Sequence, residues 1–255
     1  MVDIALSRNT RESRMQYRMQ LWCGAALNIC GALYVVGLVV VARLLFPVPN
    51  PNASAIEIAA FFAQNSDRIR LGALIMVIGI GFFAPWGAML VARTRLLEGR
   101  LPIFTYMSAT TFGATLLATF LVPACFAIAA FRTWTTPEIP QMLNDAAWYL
   151  LLYIWPLFTV WILSFGIPIL AAPEHKQLHP RWVGYFSLIC GALFGTSFLV
   201  NHVKTGPFAY DGFFGVYVPA AALGLWGTVV GIELIRAARD EFHATMQLEE
   251  DANAI

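Results

Sequence analysis

Six apolar stretches, each about long enough to cross a lipid bilayer, make up most of this chain and constrain its fold more than any other feature. They are residues 21–46, 71–92, 105–131, 146–172, 182–203 and 214–236. A helix rises about 1.5 Å per residue, so about 20 apolar residues cross a hydrocarbon core that is about 30 Å thick. The six stretches therefore predict six membrane-spanning segments.

The composition supports a membrane protein, because 59% of the 255 residues are hydrophobic and only 12% are charged. Soluble domains carry about twice that charged fraction. In hydrocarbon the backbone must satisfy its own hydrogen bonds, which leaves helices or a closed barrel, and the stretches are too long and too uniformly apolar for barrel strands. The expected fold class is all-α: a polytopic bundle of six transmembrane helices over residues 21–236, with an N-terminal segment 1–20 and a C-terminal tail 237–255.

The Lys and Arg residues are divided unequally between the two sides of such a bundle. The side with both termini carries eleven, which are Arg8, Arg11, Arg14, Arg18, Arg93, Arg95, Arg100, Lys176, Arg181, Arg236 and Arg239. The other side carries five, which are Arg43, Arg68, Arg70, Arg132 and Lys204. Loops rich in Lys and Arg stay in the cytoplasm. We therefore expect cytoplasmic termini and a multi-pass protein of a bacterial-type inner membrane.

Several classes of function find no support in the sequence. The formal net charge of +1 argues against a nucleic-acid partner. All four cysteines lie inside apolar stretches, and His175 and His179 lie in a short loop between prolines, so no metal site is assigned. We find no nucleophile elbow and no phosphate-binding loop. We therefore assign no catalytic residue, no metal ion and no cofactor.

The loop at 47–70 is the longest, and it predicts a short extracytoplasmic amphipathic helix. Prolines and asparagines after Phe46 stop the first span, and the run AIEIAAFFAQN follows. Ile56, Ala59, Ala60 and Ala63 recur there at helical spacing, and Ser54 is a suitable N-cap. We expect this helix to lie on the outer surface or to fold over the bundle as a lid.

Prolines interrupt four of the six spans, at Pro85, Pro123, Pro156, Pro168 and Pro219. Each proline removes a backbone donor and tends to kink its helix. Three of them fall at similar depth in the outer half, so their kinks could open an outward-facing cavity. A bundle that packs around the kinks is the alternative, since proline is common in membrane helices.

The outer loops are rich in charged and aromatic side chains, with basic and acidic residues equal in number. Our candidate substrate-binding residues are Arg43, Arg68, Arg70, Arg132, Asp145, His202, Lys204 and Asp211. In one interpretation the aromatic residues line a pocket for an amphipathic molecule, and the charges orient its polar end. In the other, the aromatic residues form the ordinary interfacial belt and the charges pair with one another.

One internal similarity joins the first and fifth spans. LWCGAALNICGALY at 21–34 aligns without gaps with RWVGYFSLICGALF at 181–194. The match is either a duplicated helix of the kind found in transporters or two helices that need the same small-residue packing surface. We favour the packing interpretation, because the similarity ends after one helix.

The runs FFAQNSDRIRLG, HPRWVGYF and KTGPFAYDGFFGVYVP resemble those of bacterial multi-pass membrane proteins of similar length. The resemblance extends from about the first span to the sixth. It implies a six-helix integral membrane protein and carries no activity, cofactor or binding residue.

The expected function is binding or transport of a small lipophilic or amphipathic molecule through an outward-facing cavity. Two alternatives stay open. One is a non-catalytic accessory subunit that docks on another membrane protein. The other is a membrane enzyme that acts on a lipid, with Asp145 or His202 transferring a proton. Membrane lipids are expected partners in all three cases.

Overall fold

Six apolar helical spans form a bundle, which confirms the predicted all-α polytopic fold. In a computed structural model the described residues, 2–45, 49–132 and 136–253, contain helices and no strand. Six spans in these ranges are long and apolar enough to cross a membrane. In chain order, spans 1 to 6 are Ser13–Val41, Ser66–Leu97, Ile103–Phe131, Glu138–Ala171, Arg181–Asn201 and Phe213–Leu248. We call the end of the bundle with both termini the terminal end and the opposite end the loop end.

Nine α-helices within the described ranges build these spans. Their bounds are Val2–Val35 (α1), Ala55–Gln64 (α2), Ser66–Ile80 (α3), Phe83–Leu97 (α4), Ile103–Phe131 (α5), Glu138–Leu152 (α6), Trp155–Ala171 (α7), Arg181–Phe194 (α8) and Val218–Asn253 (α9). Spans 1 and 6 also contain π-helical turns, Val36–Val41 and Phe213–Tyr217, and span 5 ends in a 3₁₀ helix, Gly195–Asn201.

Two of the prolines divide a span into two helices, while the others are accommodated. Pro85 lies in the first turn of α4, where its missing N–H removes no helical hydrogen bond, and Pro156 lies in the first turn of α7. Pro123 and Pro168 stay inside α5 and α7. Both helices therefore continue through their internal proline.

The loop half of the bundle has a packed apolar interior within the described residues. One cluster of buried apolar side chains occupies the middle and terminal end, and a second occupies the loop end. In the second, Phe62 of α2 stacks on Phe126 of span 3, which meets Trp148 of span 4 edge to face. Trp148 in turn stacks on Tyr210. This series of rings closes the loop end over the described residues.

The predicted helix α2 is present and begins at Ser54, which forms a capping box with Glu57. Ser54 Oγ accepts a hydrogen bond from the Glu57 N–H, and the Ser54 N–H donates to Glu57 Oε2 at 2.8 Å. The helix buries Ile58 and Phe62, while Ile56 is 72% exposed. Burying Ile58 and Phe62 removes more apolar surface from water than burying a row of alanines.

The matching stretches of spans 1 and 5 share a packing role at one glycine position. A Cβ on Gly24 would lie 2.6 Å from Ile235, and one on Gly184 would lie 2.6 Å from Leu170. Both glycines therefore permit close contact with a neighbouring span. A Cβ on Gly31 would meet no described atom within 4 Å, so the second shared glycine has no such role in span 1. These contacts support the packing interpretation.

Candidate functional site

Two of the predicted binding residues, Arg43 and Arg68, lie at the loop ends of spans 1 and 2. Arg43 follows the π-helical turn of span 1 and is exposed, with φ 52°, in the left-handed region. Arg68 Nη2 lies 3.5 Å from the carbonyl oxygen of Ala42. The Arg68 side chain therefore contacts the residue that precedes Arg43.

Arg70 and Arg132 extend this set to span 3. The Arg70 guanidinium lies 5.3 Å from the centroid of the Phe131 ring, a cation–π distance, and Arg132 follows Phe131 in the chain. Arg70 Nη1 also lies 3.8 Å from Asp67 Oδ1. We call Arg43, Arg68, Arg70 and Arg132 the arginine group.

The predicted residues Asp145, Lys204 and Asp211 lie apart from the arginine group, at the loop ends of spans 4 to 6. Asp145 accepts a hydrogen bond from Asn144 Nδ2 at 3.3 Å, and Lys204 is near enough for its charge to act on Asp145. Burial, and then the charge of Asp145, raise the pKa of the Tyr210 hydroxyl, which keeps it a donor. The charges of this set therefore act on one another.

His202 is exposed in the same loop as Lys204. Its backbone N–H donates to the carbonyl oxygen of Leu199 at 2.8 Å, which ends the 3₁₀ helix of span 5. The structure thus splits the eight predicted binding residues between two places, and no single pocket gathers them within the described ranges.

A groove on the outside of the bundle, between spans 2 and 3, lies beside the predicted binding residue Arg70. Its volume is about 640 Å³, within the range of small-molecule sites. Its lining residues are Asp67, Arg70, Leu71, Ala73, Leu74 and Val77 of α3 with Pro123, Ala124, Ala127, Ile128 and Phe131 of α5. Small side chains on both walls, with Pro123 at the deep end, leave this space between the helices.

The groove has a charged mouth and an apolar interior. Asp67 and Arg70 lie at the loop end, and the eleven residues from Asp67 to Val77 extend about 15 Å along the helix. That depth is about half of a hydrocarbon core, or one leaflet. Leu71, Leu74 and Ile128 are each more than half exposed, so the groove faces the surrounding lipid.

A smaller recess of about 350 Å³ lies at the terminal end, beside Glu98 and Lys176. The Glu98 carboxylate already accepts hydrogen bonds from the N–H groups of Phe104 at 2.8 Å and Thr105 at 2.7 Å, and it thereby caps α5. The groove between spans 2 and 3 is therefore the better candidate for a binding site.

A polar cluster at the terminal end was missed by the sequence analysis, which counted Arg93 only as a loop charge. Arg93 is 3% exposed, donates to Gln20 Oε1 at 2.6 Å and forms an ion pair with Glu241. It thereby joins α4 to α1 and α9. His179 is 1% exposed, and neither ring nitrogen has a hydrogen-bond partner among the described residues.

His179 makes the stability of the fold sensitive to acid. Burial, and secondly the charge of Arg93, lower the pKa of His179 from 6.5 to about 4. Between these values the unfolded chain binds a proton that the folded chain excludes, so stability is complete above about pH 6.5 and falls as the pH falls. Acidification from about pH 7.5 to about pH 5 should lower the free energy of unfolding by about 2 kcal/mol, because unfolding lets His179 bind a proton.

Unfolding in mixed micelles, followed by tryptophan fluorescence across that pH range, tests the effect. The variant His179→Gln should flatten the pH dependence, whereas His243→Gln, at an exposed position, should leave it as in the wild type. An equally steep pH dependence in His179→Gln would contradict the assignment.

Comparison with protein-family models, with curated proteins and with solved structures finds no match to this chain. The resemblance to bacterial multi-pass membrane proteins therefore stays a prediction. The structure by itself supports the conclusion that the chain is an integral, multi-pass, all-α membrane protein with six spans in its described ranges.

Proposed function

We propose that this integral membrane protein binds one amphipathic molecule in the groove between spans 2 and 3. The observation that carries the proposal is the combination of an apolar interior about one leaflet deep with charged groups at its mouth. An acyl chain or similar apolar tail matches the walls, and a polar head matches the position of Asp67 and Arg70.

The proposed site lies on the lipid-facing side of the bundle and not in its interior. The packed apolar interior of the loop half supports binding in the groove over passage through the bundle. The ligand would enter sideways from the membrane. With cytoplasmic termini, as the Lys and Arg count favours, the groove opens to the outer leaflet.

Filling the groove should weaken binding. Ala124 is half-buried on its α5 wall, and Ala124→Leu places a larger side chain in the space that the tail would occupy. We expect retention of bound lipid to fall roughly ten-fold, which corresponds to the loss of about 1.4 kcal/mol of binding free energy between the tail and the wall. The measurement is native mass spectrometry of the full chain, extracted in mild detergent from vesicles, with lipids per protein counted.

Ala109→Leu is the matched control, because Ala109 is an exposed alanine of the same helix outside the groove. It should retain as much lipid as the wild type. Equal lipid counts in the wild type and Ala124→Leu would refute the proposed function. An equal loss of bound lipid in Ala109→Leu would also refute it, because the loss would then not depend on the groove.

A further inference from the structure

The charged side chains at the loop end are balanced in number along the sequence but divided unequally among the spans. In the described residues, the loop ends of spans 1 to 3 carry the arginine group and one carboxylate, Asp67. Spans 4 to 6 and α2 carry the opposite excess, which consists of Glu57, Glu138, Asp145 and Asp211 against Lys204. The loop ends of the two spans that form the groove therefore belong to the part of the bundle with an excess of positive charge.

Within the arginine group, Arg70 is the residue that lines the groove. Its side chain is 49% exposed, and the Phe131 ring fixes the guanidinium at the end of the groove. Its ion pair with Asp67 spans 3.8 Å, and the Asp67 side chain is 98% exposed. An exposed pair at that distance is weak, so the guanidinium keeps donors for a ligand.

We propose that the groove selects an amphiphile with an anionic phosphate headgroup, an inference that rests on the proposed function. A guanidinium binds phosphate through two parallel hydrogen bonds, and a phosphate without a compensating cation in its headgroup gains most from the nearby arginines. Arg43, Arg68 and Arg132 add to the positive potential at the mouth, while Asp67 opposes it. A headgroup without net charge gains less from this environment.

The test measures headgroup preference in the full-length protein. The chain is reconstituted in vesicles of equal parts phosphatidylglycerol and phosphatidylcholine, extracted in mild detergent, and its bound lipids are counted by native mass spectrometry. The wild type should retain phosphatidylglycerol in excess. Arg70→Gln should lower the ratio of the two lipids roughly five-fold, the effect of one basic residue near a membrane surface. Asp67→Asn should raise it, and Arg70→Lys, which keeps the charge but not the two parallel donors, should lower it less than Arg70→Gln does.

Lys204→Gln is the matched control, because it removes a positive charge at the same end of the bundle but away from the groove. It should leave the ratio unchanged. The headgroup inference is overturned if Arg70→Gln keeps the wild-type ratio, or if Lys204→Gln lowers it equally. The number of lipids lost in Ala124→Leu separately decides the proposed function, so the two failures are distinguishable.

Discussion

Replacing Trp161 with alanine is expected to lower the free energy of unfolding by about 3–5 kcal/mol, the cost of deleting a large buried aromatic side chain. Trp161 is fully buried in span 4. Its ring lies 5.6 Å from that of Phe83 and 5.7 Å from Trp86 in span 2. It also lies 5.2 Å from Phe112 in span 3 and 5.3 Å from Trp226 in span 6. One side chain therefore holds four spans together.

The loss of stability in Trp161→Ala comes from lost contacts between side chains and not from the transfer of the ring into lipid. Lipid tails are as apolar as the ring, so helix association depends on van der Waals packing, and the alanine variant leaves a cavity. Trp161→Phe should cost much less, because it keeps an aromatic ring and removes an indole N–H that has no hydrogen-bond partner among the described residues.

Equilibrium unfolding in mixed micelles measures these differences, with Trp182→Ala as the matched control. Trp182 is 49% exposed, so its removal should cost about 1 kcal/mol or less. Comparable losses in Trp161→Ala and Trp182→Ala would show that the ring contacts contribute little.

The spans were predictable because a hydrocarbon core fixes both the length and the helical structure of a segment that crosses it. Local signals such as the N-cap at Ser54 could also be recognised in the sequence. A polar residue inside an apolar span favours a hydrogen bond to another span, and Thr228 Oγ1 donates to Asn28 Oδ1 at 3.1 Å between spans 1 and 6. A spacing of three residues along one helix favours an ion pair, and Glu233 lies 3.5 Å from Arg236. Each of these follows from depth or from spacing along one helix.

The partners of Trp161 could not be predicted, because a tryptophan in an apolar run gives no sign of which helix it faces. The candidate site was predictable only in part, because its charged residues can be read from the sequence and their contacts cannot. Arg70 was selected from its charge, but its contact with Phe131 depends on how spans 2 and 3 pack. Arg93 was misjudged, since a basic residue at a span end normally faces water, and only the fold places Glu241 beside it.

Replacing Gly72 with valine is expected to cost about 3 kcal/mol, the upper part of the usual range for overfilling a packed contact. A Cβ on Gly72 would lie 2.5 Å from the carbonyl oxygen of Gly37 and 2.7 Å from the Ala42 Cβ. Backbone atoms cannot yield as a flexible side chain does, so spans 1 and 2 must separate.

Gly113→Ala is the control, and its expected effect on stability is opposite in sign to that of Gly72→Val. A Cβ there would meet no described atom within 4 Å, and alanine is favoured over glycine inside a helix by about 1 kcal/mol. Gly113→Ala should therefore raise the midpoint of thermal unfolding in detergent, while Gly72→Val lowers it. Because the arginine group depends on how spans 1 and 2 meet, Gly72→Val should also reduce the preference for phosphatidylglycerol. A Gly72→Val protein as stable as the wild type would show that spans 1 and 2 are not held at this distance.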